Sequence, residues 1–328
     1  MDKIEIQGIE PIQDYFFNSC YYSVLFPIVQ YFKKSVIPFM VNGMGNYMFY
    51  DTDARCSVYF KYFQEDNLEI VFSDIGLGCK KMNICDDLHH AILSDLKDGM
   101  PVIVAVDCYY ETIRPDVYLT LHLPHYLLVY GFDDNAKEYE IIEQNDIDDI
   151  RYQKKRISMD ELEKAHNHFV ERFYDEKMGT YWAFYNLNEH IEYDSNKYCQ
   201  KYLSNIRNNE RRMLDGIQEF NRFEARFAKI LEDDDMFFKY SEDVVEGIND
   251  VIKFMNAKKI QYSSIFSNEE ECSILFDEIY SMWLLQRTII AKCHYANHIS
   301  SIKKEKIKIN YAVIIEKSKS LVNKLLNM

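Results

Sequence analysis

Apolar positions give the chain two textures. Up to about residue 190 the apolar runs are short and bounded by Gly, Pro, Asp or Asn; beyond Asn196 they recur at intervals of three and four, with no proline. Three early segments read as strands: Met100–Asp107 (MPVIVAVD), His125–Phe132 (HYLLVYGF) and Tyr139–Glu143 (YEIIE), all rich in Val, Ile, Leu or Tyr. The turn residues of GFDDNAK lie between the second and third, which predicts an antiparallel hairpin. Asp14–Lys34 is apolar on both faces and predicts a buried helix, broken or bent around Pro27. Ser158, with Glu161 three residues on, predicts a capping box opening a helix.

The later texture is helical. Met213, Ile217, Phe220, Phe223 and Phe227 mark one stripe, Val244, Val245, Ile248, Val251, Ile252 and Met255 a second, and Leu275, Ile279, Met282, Trp283, Ile289, Ile290 and Cys293 a third. Four or five helices in a bundle are expected, interrupted only by Gly216 and Gly247. A length of 328 residues suits two domains at about 150 residues each. The expected organisation is an α+β domain with an antiparallel sheet over residues 1–190, then an all-α domain over 191–328.

Charge narrows the partners. Lys and Arg total 38 against 53 Asp and Glu, a net charge of −15, and that field repels nucleic-acid phosphates and anionic lipid. No apolar run approaches the roughly 18 residues of a membrane span. Residues 1–10 carry no basic segment leading into an apolar one, so a cytoplasmic location is expected. The eight cysteines are sparse and read as thiols. Cys79, Cys85, His89 and His90 come nearest to a ligand set but lack C-x-x-C spacing, and no metal is assigned. The charge runs Glu232–Asp235 and Lys303–Lys308 read as solvated faces or loops.

One constellation points to chemistry. Cys20 sits near the start of an apolar helical stretch, where the helix dipole and unpaired N–H groups favour a thiolate. His125 opens a strand directly after Pro124, a place from which an imidazole reaches a cleft. Antiparallel pairing then brings the start of that strand beside the end of the next, making Glu143 the nearest orienting acid, with Asn145 or Asp146 available if the register differs. Asp107, at the end of the neighbouring strand, competes for the imidazole or receives an incoming amine.

Cys20 after Asn18, the stretch GMPVIVAVDCYYETIRPDVYLTLHLPHYLLVYGFDD, and the later YEIIEQ and ISMDELEKA together resemble the butirosin-biosynthesis-H-type family of papain-like cysteine enzymes over residues 10–190. The resemblance implies a papain-like domain with Cys20 as nucleophile, His125 as base and Glu143 as third member, where the family pattern has Asp. It also implies a side-chain amide in the oxyanion hole, for which Gln13 and Asn18 are the candidates. The implied activity is amide formation in specialised metabolism: an acyl group passes from the phosphopantetheine thioester of a carrier protein, through Cys20, to a small amine. Asp107, Tyr109 and Tyr110 are candidates for the amine pocket. No cofactor of the enzyme's own is implied. An acidic carrier needs a basic landing place; Arg151, Lys154, Lys155 and Arg156 form the best cluster and Lys80 with Lys81 the second. Two alternatives stand beside this reading: a cysteine peptidase or amidase on the same residues, and a non-catalytic binding protein. The aromatic stripes of the helical half lead to the expectation of a homodimer.

Overall fold

A computed structural model describes residues 3–13, 17–146, 151–175, 179–187, 191–266 and 270–328. In chain order the elements are β1 (Lys3–Glu5), α1 (Cys20–Tyr31), α2 (Ile37–Asn42), β2 (Gly43–Asp51), β3 (Cys56–Gln64), α3 (Leu68–Asp74), β4 (Leu77–Met82), α4 (Leu88–Lys97), β5 (Val102–Asp107), β6 (Pro124–Asp133), β7 (Glu138–Gln144), β8 (Tyr152–Ser158), α5 (Met159–Phe173), β9 (Tyr181–Asn186), α6 (Ser195–Asn208), α7 (Glu210–Ile230), α8 (Asp234–Ile265), α9 (Glu270–Tyr295) and α10 (Ser301–Leu326). The fold is mixed α+β, with a helical C-terminal region.

The chain forms two compact units: residues 1–36 with 67–193, and residues 37–66 with 194–328. The expected boundary near 190 is present, but one correction is needed. Segment 37–66 leaves the first unit and joins the helices, so the second unit is not all-α; it contains the antiparallel pair β2–β3.

The first unit is built on one antiparallel sheet, ordered β4-β9-β5-β6-β7-β8, with β1 pairing on β6. All six residues of β5 are buried, with α5 and α4 packed on this strand and α1 on its neighbour β6. The expected hairpin is β6–β7, joined by a turn in which Asp133 accepts from the N–H groups of Asn135 and Ala136. Ser158 caps α5, accepting from the N–H of Glu161 at 3.3 Å. The reciprocal half of the capping box is absent: the Glu161 carboxylate reaches instead to Thr112.

In the second unit α7 lies along β2 and α8 along β3. The two glycines of the helical region sit at these crossings. A Cβ on Gly216 would fall 2.9 Å from Asn46 Cβ and 3.0 Å from the Tyr47 nitrogen, and one on Gly247 would fall 2.2 Å from the Val58 carbonyl oxygen. Each glycine therefore lets a helix approach the backbone of the strand pair closely. Phe60 and Phe254 stack at 3.7 Å beside Gly45, where a Cβ would fall 2.9 Å from the Phe254 ring.

Candidate active site

Cys20 is the first residue of α1. The helix starts here, and not at Asp14 as expected, because Asn18 takes a left-handed φ of 59° and Ser19 is extended (φ −151°, ψ 167°). Residues 14–16 of the expected helix lie outside the described residues. The carbonyl of Phe17 accepts from the N–H of Ser19 at 2.7 Å, closing a tight turn directly before the cysteine. Ser19 makes no side-chain cap, and no acidic residue occupies the first turn. The N-terminal N–H groups and dipole of α1 thus act on the Cys20 sulfur without competition from a capping carboxylate. Farther along, α1 runs through Pro27 without ending, so of the expected break or bend the break is not found.

His125 stands on β6 opposite Val106, and the ladder continues with Leu128 opposite Ile142. Extending that register sets Glu143 across from Leu127, two residues from His125 on the same face of the sheet. The imidazole Nε2 lies 2.8 Å from Glu143 Oε1, an ionic contact off the hydrogen-bond line. Cys20 is also a charge and hydrogen-bonding neighbour of the imidazole. Cys20, His125 and Glu143 therefore form a connected series, with Nε2 turned to the acid and Nδ1 left for the thiol. Burial lowers the tendency of His125 to hold its proton, but the charge of Glu143 and the Cys20 sulfur outweigh it and hold its pKa well above the ordinary histidine value.

Behind Glu143 lies a polar assembly that the sequence reading missed. Arg114 and Glu143 are both 0% exposed, with Arg114 Nη1 donating to Glu143 Oε1 at 3.1 Å. The same guanidinium grips Asp116 through Nε at 3.0 Å and Nη2 at 2.9 Å, a bidentate pair. The N–H of Gln144 adds a 2.7 Å bond to Glu143 Oε1. Lys155 ties the two segments together: its Nζ donates to the carbonyls of Ile113 and Gln144 at 3.0 and 2.9 Å. Glu111, 0% exposed, has neither carboxyl oxygen hydrogen-bonded among the described residues. Burial, with the charge of Glu143 added, pushes its pKa up to about 8, so it is largely neutral at pH 7. With Glu111 neutral and His125 charged, Glu143, Asp116, Arg114 and His125 sum to zero, which permits a full charge set in the interior. Three charged residues at 111, 114 and 116, between two apolar strand-like segments, were the available signal.

Asp107 is not part of this series. Adjacent strand residues point to opposite faces, and Asp107 pairs with Pro124 while Val106 pairs with His125. Its buried carboxylate accepts from His122 Nδ1 at 2.7 Å and from the N–H groups of Tyr109 and Leu123 at 3.1 and 3.2 Å. The expectation that Asp107 competes for His125 is corrected accordingly, and in this arrangement it has no open face for an amine. Tyr109 and Tyr110 follow it in a 3-10 turn. Tyr109 stacks on His122 at 4.1 Å and Tyr110 on His168 at 4.0 Å, a half-buried aromatic and imidazole rim. Gln13 is exposed and donates its amide to the carbonyl of Tyr152, whose ring lies nearly parallel to that of His125 at 6.3 Å. One amide N–H of Gln13 is thereby committed.

The expected basic patch is dispersed in the same way. On β8, Lys154 pairs with Glu10 and Arg156 with Glu140, while Lys155 turns to the carbonyls already named. Lys80 pairs with buried Asp95. Among the described residues no group of three His, Cys, Asp or Glu side chains is placed to hold a metal ion, and His89 Nδ1 contacts the Tyr139 hydroxyl at 2.6 Å. Burial pushes the thiols of Cys56 and Cys79 up to about 12, and raises those of Cys85, Cys108, Cys199 and Cys293. No described helix is long and apolar enough to cross a membrane.

No protein-family model matches the chain, and no curated protein matches it.

Proposed function

We propose that this protein is a papain-like cysteine acyltransferase that makes amide bonds. The observation that carries the reading is the series Cys20, His125 and Glu143, with the sulfur at a helix N-terminus and the carboxylate held from behind by Arg114. The raised affinity of His125 for protons supports an imidazolium–thiolate pair as the resting nucleophile. The thiolate attacks the thioester carbonyl of an acyl-phosphopantetheine on a carrier protein. The C–S bond of the donor breaks, and the departing thiolate takes the His125 proton. The acyl-Cys20 ester then meets an amine; neutral His125 takes the amine proton as the C–N bond forms, and the Cys20 sulfur leaves. The backbone N–H of Cys20 suits the developing oxyanion. The choice of thioester and amine, rather than peptide and water, rests on the resemblance of residues 10–190 to the butirosin-H-type enzymes.

Tyr109 and Tyr110, with His122 beside them, are the proposed rim for the amine. Homodimerisation through the helical region is part of the same proposal, and a monomeric mass by light scattering overturns that part alone.

The experiment is acyl trapping. An N-acetylcysteamine acyl thioester is added to the protein, and the mass increment is followed by intact and peptide mass spectrometry. An increment on Cys20, absent in Cys20→Ala and discharged faster by an added primary amine than by water, supports the transferase. Discharge by water alone, or turnover of peptide amides, supports the hydrolase alternative. An unmodified Cys20 overturns catalysis and leaves the binding-protein reading.

A further inference from the structure

The second unit holds a partly open cavity of about 70 Å³ that the acyl-transfer reading does not use. Its walls are mainly apolar and include Tyr202, Phe254, Met255, Phe276, Leu321 and Val322. One ionisable side chain with a charged form at neutral pH lines it: Lys258 of α8, 5% exposed. No Asp or Glu is among the lining residues, and no carboxylate pairs with Lys258 among the described residues. Its Nζ is held by two carbonyls, that of Met40 at 3.4 Å and that of Gly43, at the end of α2. An ammonium has three donors, so two partial dipoles occupy two of them and no anion balances the charge.

A second observation lies one turn along the same helix. Gln261 is 0% exposed, and neither its amide oxygen nor its amide nitrogen has a hydrogen-bond partner among the described residues. Residues three apart share a helix face, so this face of α8 carries an uncompensated cation and an unsatisfied amide within an apolar interior. Gln261 stands outside the cavity wall, whereas Lys258 lines it, so a ligand in the cavity would answer the ammonium. The other wall residues with polar side-chain groups are Asn46, Tyr202, and Tyr47 and Ser318, whose hydroxyls lie 3.4 Å apart.

We infer that the second unit binds a short apolar monocarboxylate, with the carboxylate on the Lys258 ammonium and the hydrocarbon among the aromatic and aliphatic walls. The chemistry of the site selects this class. An anionic head is needed because the single charged wall group is cationic; a hydrocarbon body is needed because the remaining walls are mostly apolar. The volume limits length, since it has room for roughly five water-sized groups. A six-carbon acid has eight heavy atoms, so with its carboxylate on Lys258 the end of its tail would reach the open side of the cavity. The depressed proton affinity of Lys258, which burial brings down to about 7, is what an amine shows when no anion is present, and a bound carboxylate would restore it. The inference does not depend on the activity of Cys20.

The test uses the full chain, with hexanoate as the probe and hexan-1-ol and hexylamine as controls matched in chain length. Isothermal titration and the thermal midpoint are measured at pH 6.5. Hexanoate is expected to bind saturably, at least about tenfold more tightly than hexan-1-ol, as a charge-assisted contact in an apolar site requires. Hexylamine is expected not to bind. Lys258→Met should remove the preference for hexanoate over hexanol, and Val322→Phe, which fills the cavity from α10, should remove hexanoate binding altogether. Equal binding of hexanoate and hexanol overturns the inference, as does the absence of hexanoate binding or its survival in Val322→Phe. The comparison of the three probes on the wild-type protein stands whether or not either variant folds.

Discussion

The two units bury charge in opposite ways. In the first, His125, Glu143, Arg114 and Asp116 compensate one another over contacts of 2.8 to 3.1 Å, summing to zero while the imidazole holds its proton. In the second, Lys258 sits among apolar walls with two carbonyl dipoles and the rings of Tyr202 and Phe254, at 5.9 and 5.6 Å, but no carboxylate among the described residues. Burial alone therefore does not define a site; what matters is whether the group is already answered. An answered group can move protons, and an unanswered one invites a ligand of the missing sign.

The comparison breaks most sharply at Cys20. Its iodoacetamide alkylation rate below pH 8 should exceed that of the other seven thiols, and His125→Ala should remove that lead by on the order of a hundredfold. If Cys20 alkylates no faster than Cys199, the first unit has no poised nucleophile and the contrast between the units fails. Next in size is Arg114→Met. It leaves Glu143 charged and buried with its main cation gone, so a loss of about 3–5 kcal/mol is expected in urea unfolding. A loss below about 1 kcal/mol would mean that Glu143 is held by His125 and Gln144 alone.

Glu111 and Lys258 give a smaller and sign-specific pair of tests. The folded pKa of Glu111 is raised, so its contribution is fully present below about 4.5 and is lost as pH rises through about 8. Between those values wild-type stability should fall by up to about 1.4 kcal/mol per pH unit from this group, and Glu111→Gln should flatten that slope. Lys258 is lowered, from 10.5 to about 7, so the folded state binds fewer protons than the unfolded chain in that window and stability should rise with pH there. Lys258→Met should remove the rise and leave the protein as stable or more stable at pH 7. Matching pH profiles for wild type and both variants would dissolve the distinction. Gly247→Ala is independent of charge: its methyl meets the Val58 carbonyl, and a loss of about 1–3 kcal/mol is expected, checked by the urea midpoint.

Features governed by short-range pattern were legible from the chain. The β6–β7 hairpin, the Ser158 cap and the five helices α6–α10 follow from turn chemistry, capping and period. The pairing of His125 with Glu143 was legible for the same reason, because strand alternation and a tight turn fix which ends meet. Arg114 was not, since a loop's path depends on what its side chains find in the interior, and nothing local marks that. Nor was the membership of 37–66. β2 and β3 were not among the predicted strands, the helices that cover them begin about 130 residues later, and chain order offers no hint of so distant a partner.

That interruption has a consequence for synthesis. The β2–β3 pair leaves the ribosome early, with aromatic side chains at Tyr47, Phe49, Phe60 and Phe63, yet its cover starts only at Asp194. At about 5–20 residues per second the 127 intervening residues take on the order of ten seconds to translate, and the pair spends that time as an exposed ribbon. A nascent chain of this design offers chaperones a hydrophobic target, and it ties completion of the second unit to the arrival of helices encoded at the far end of the message.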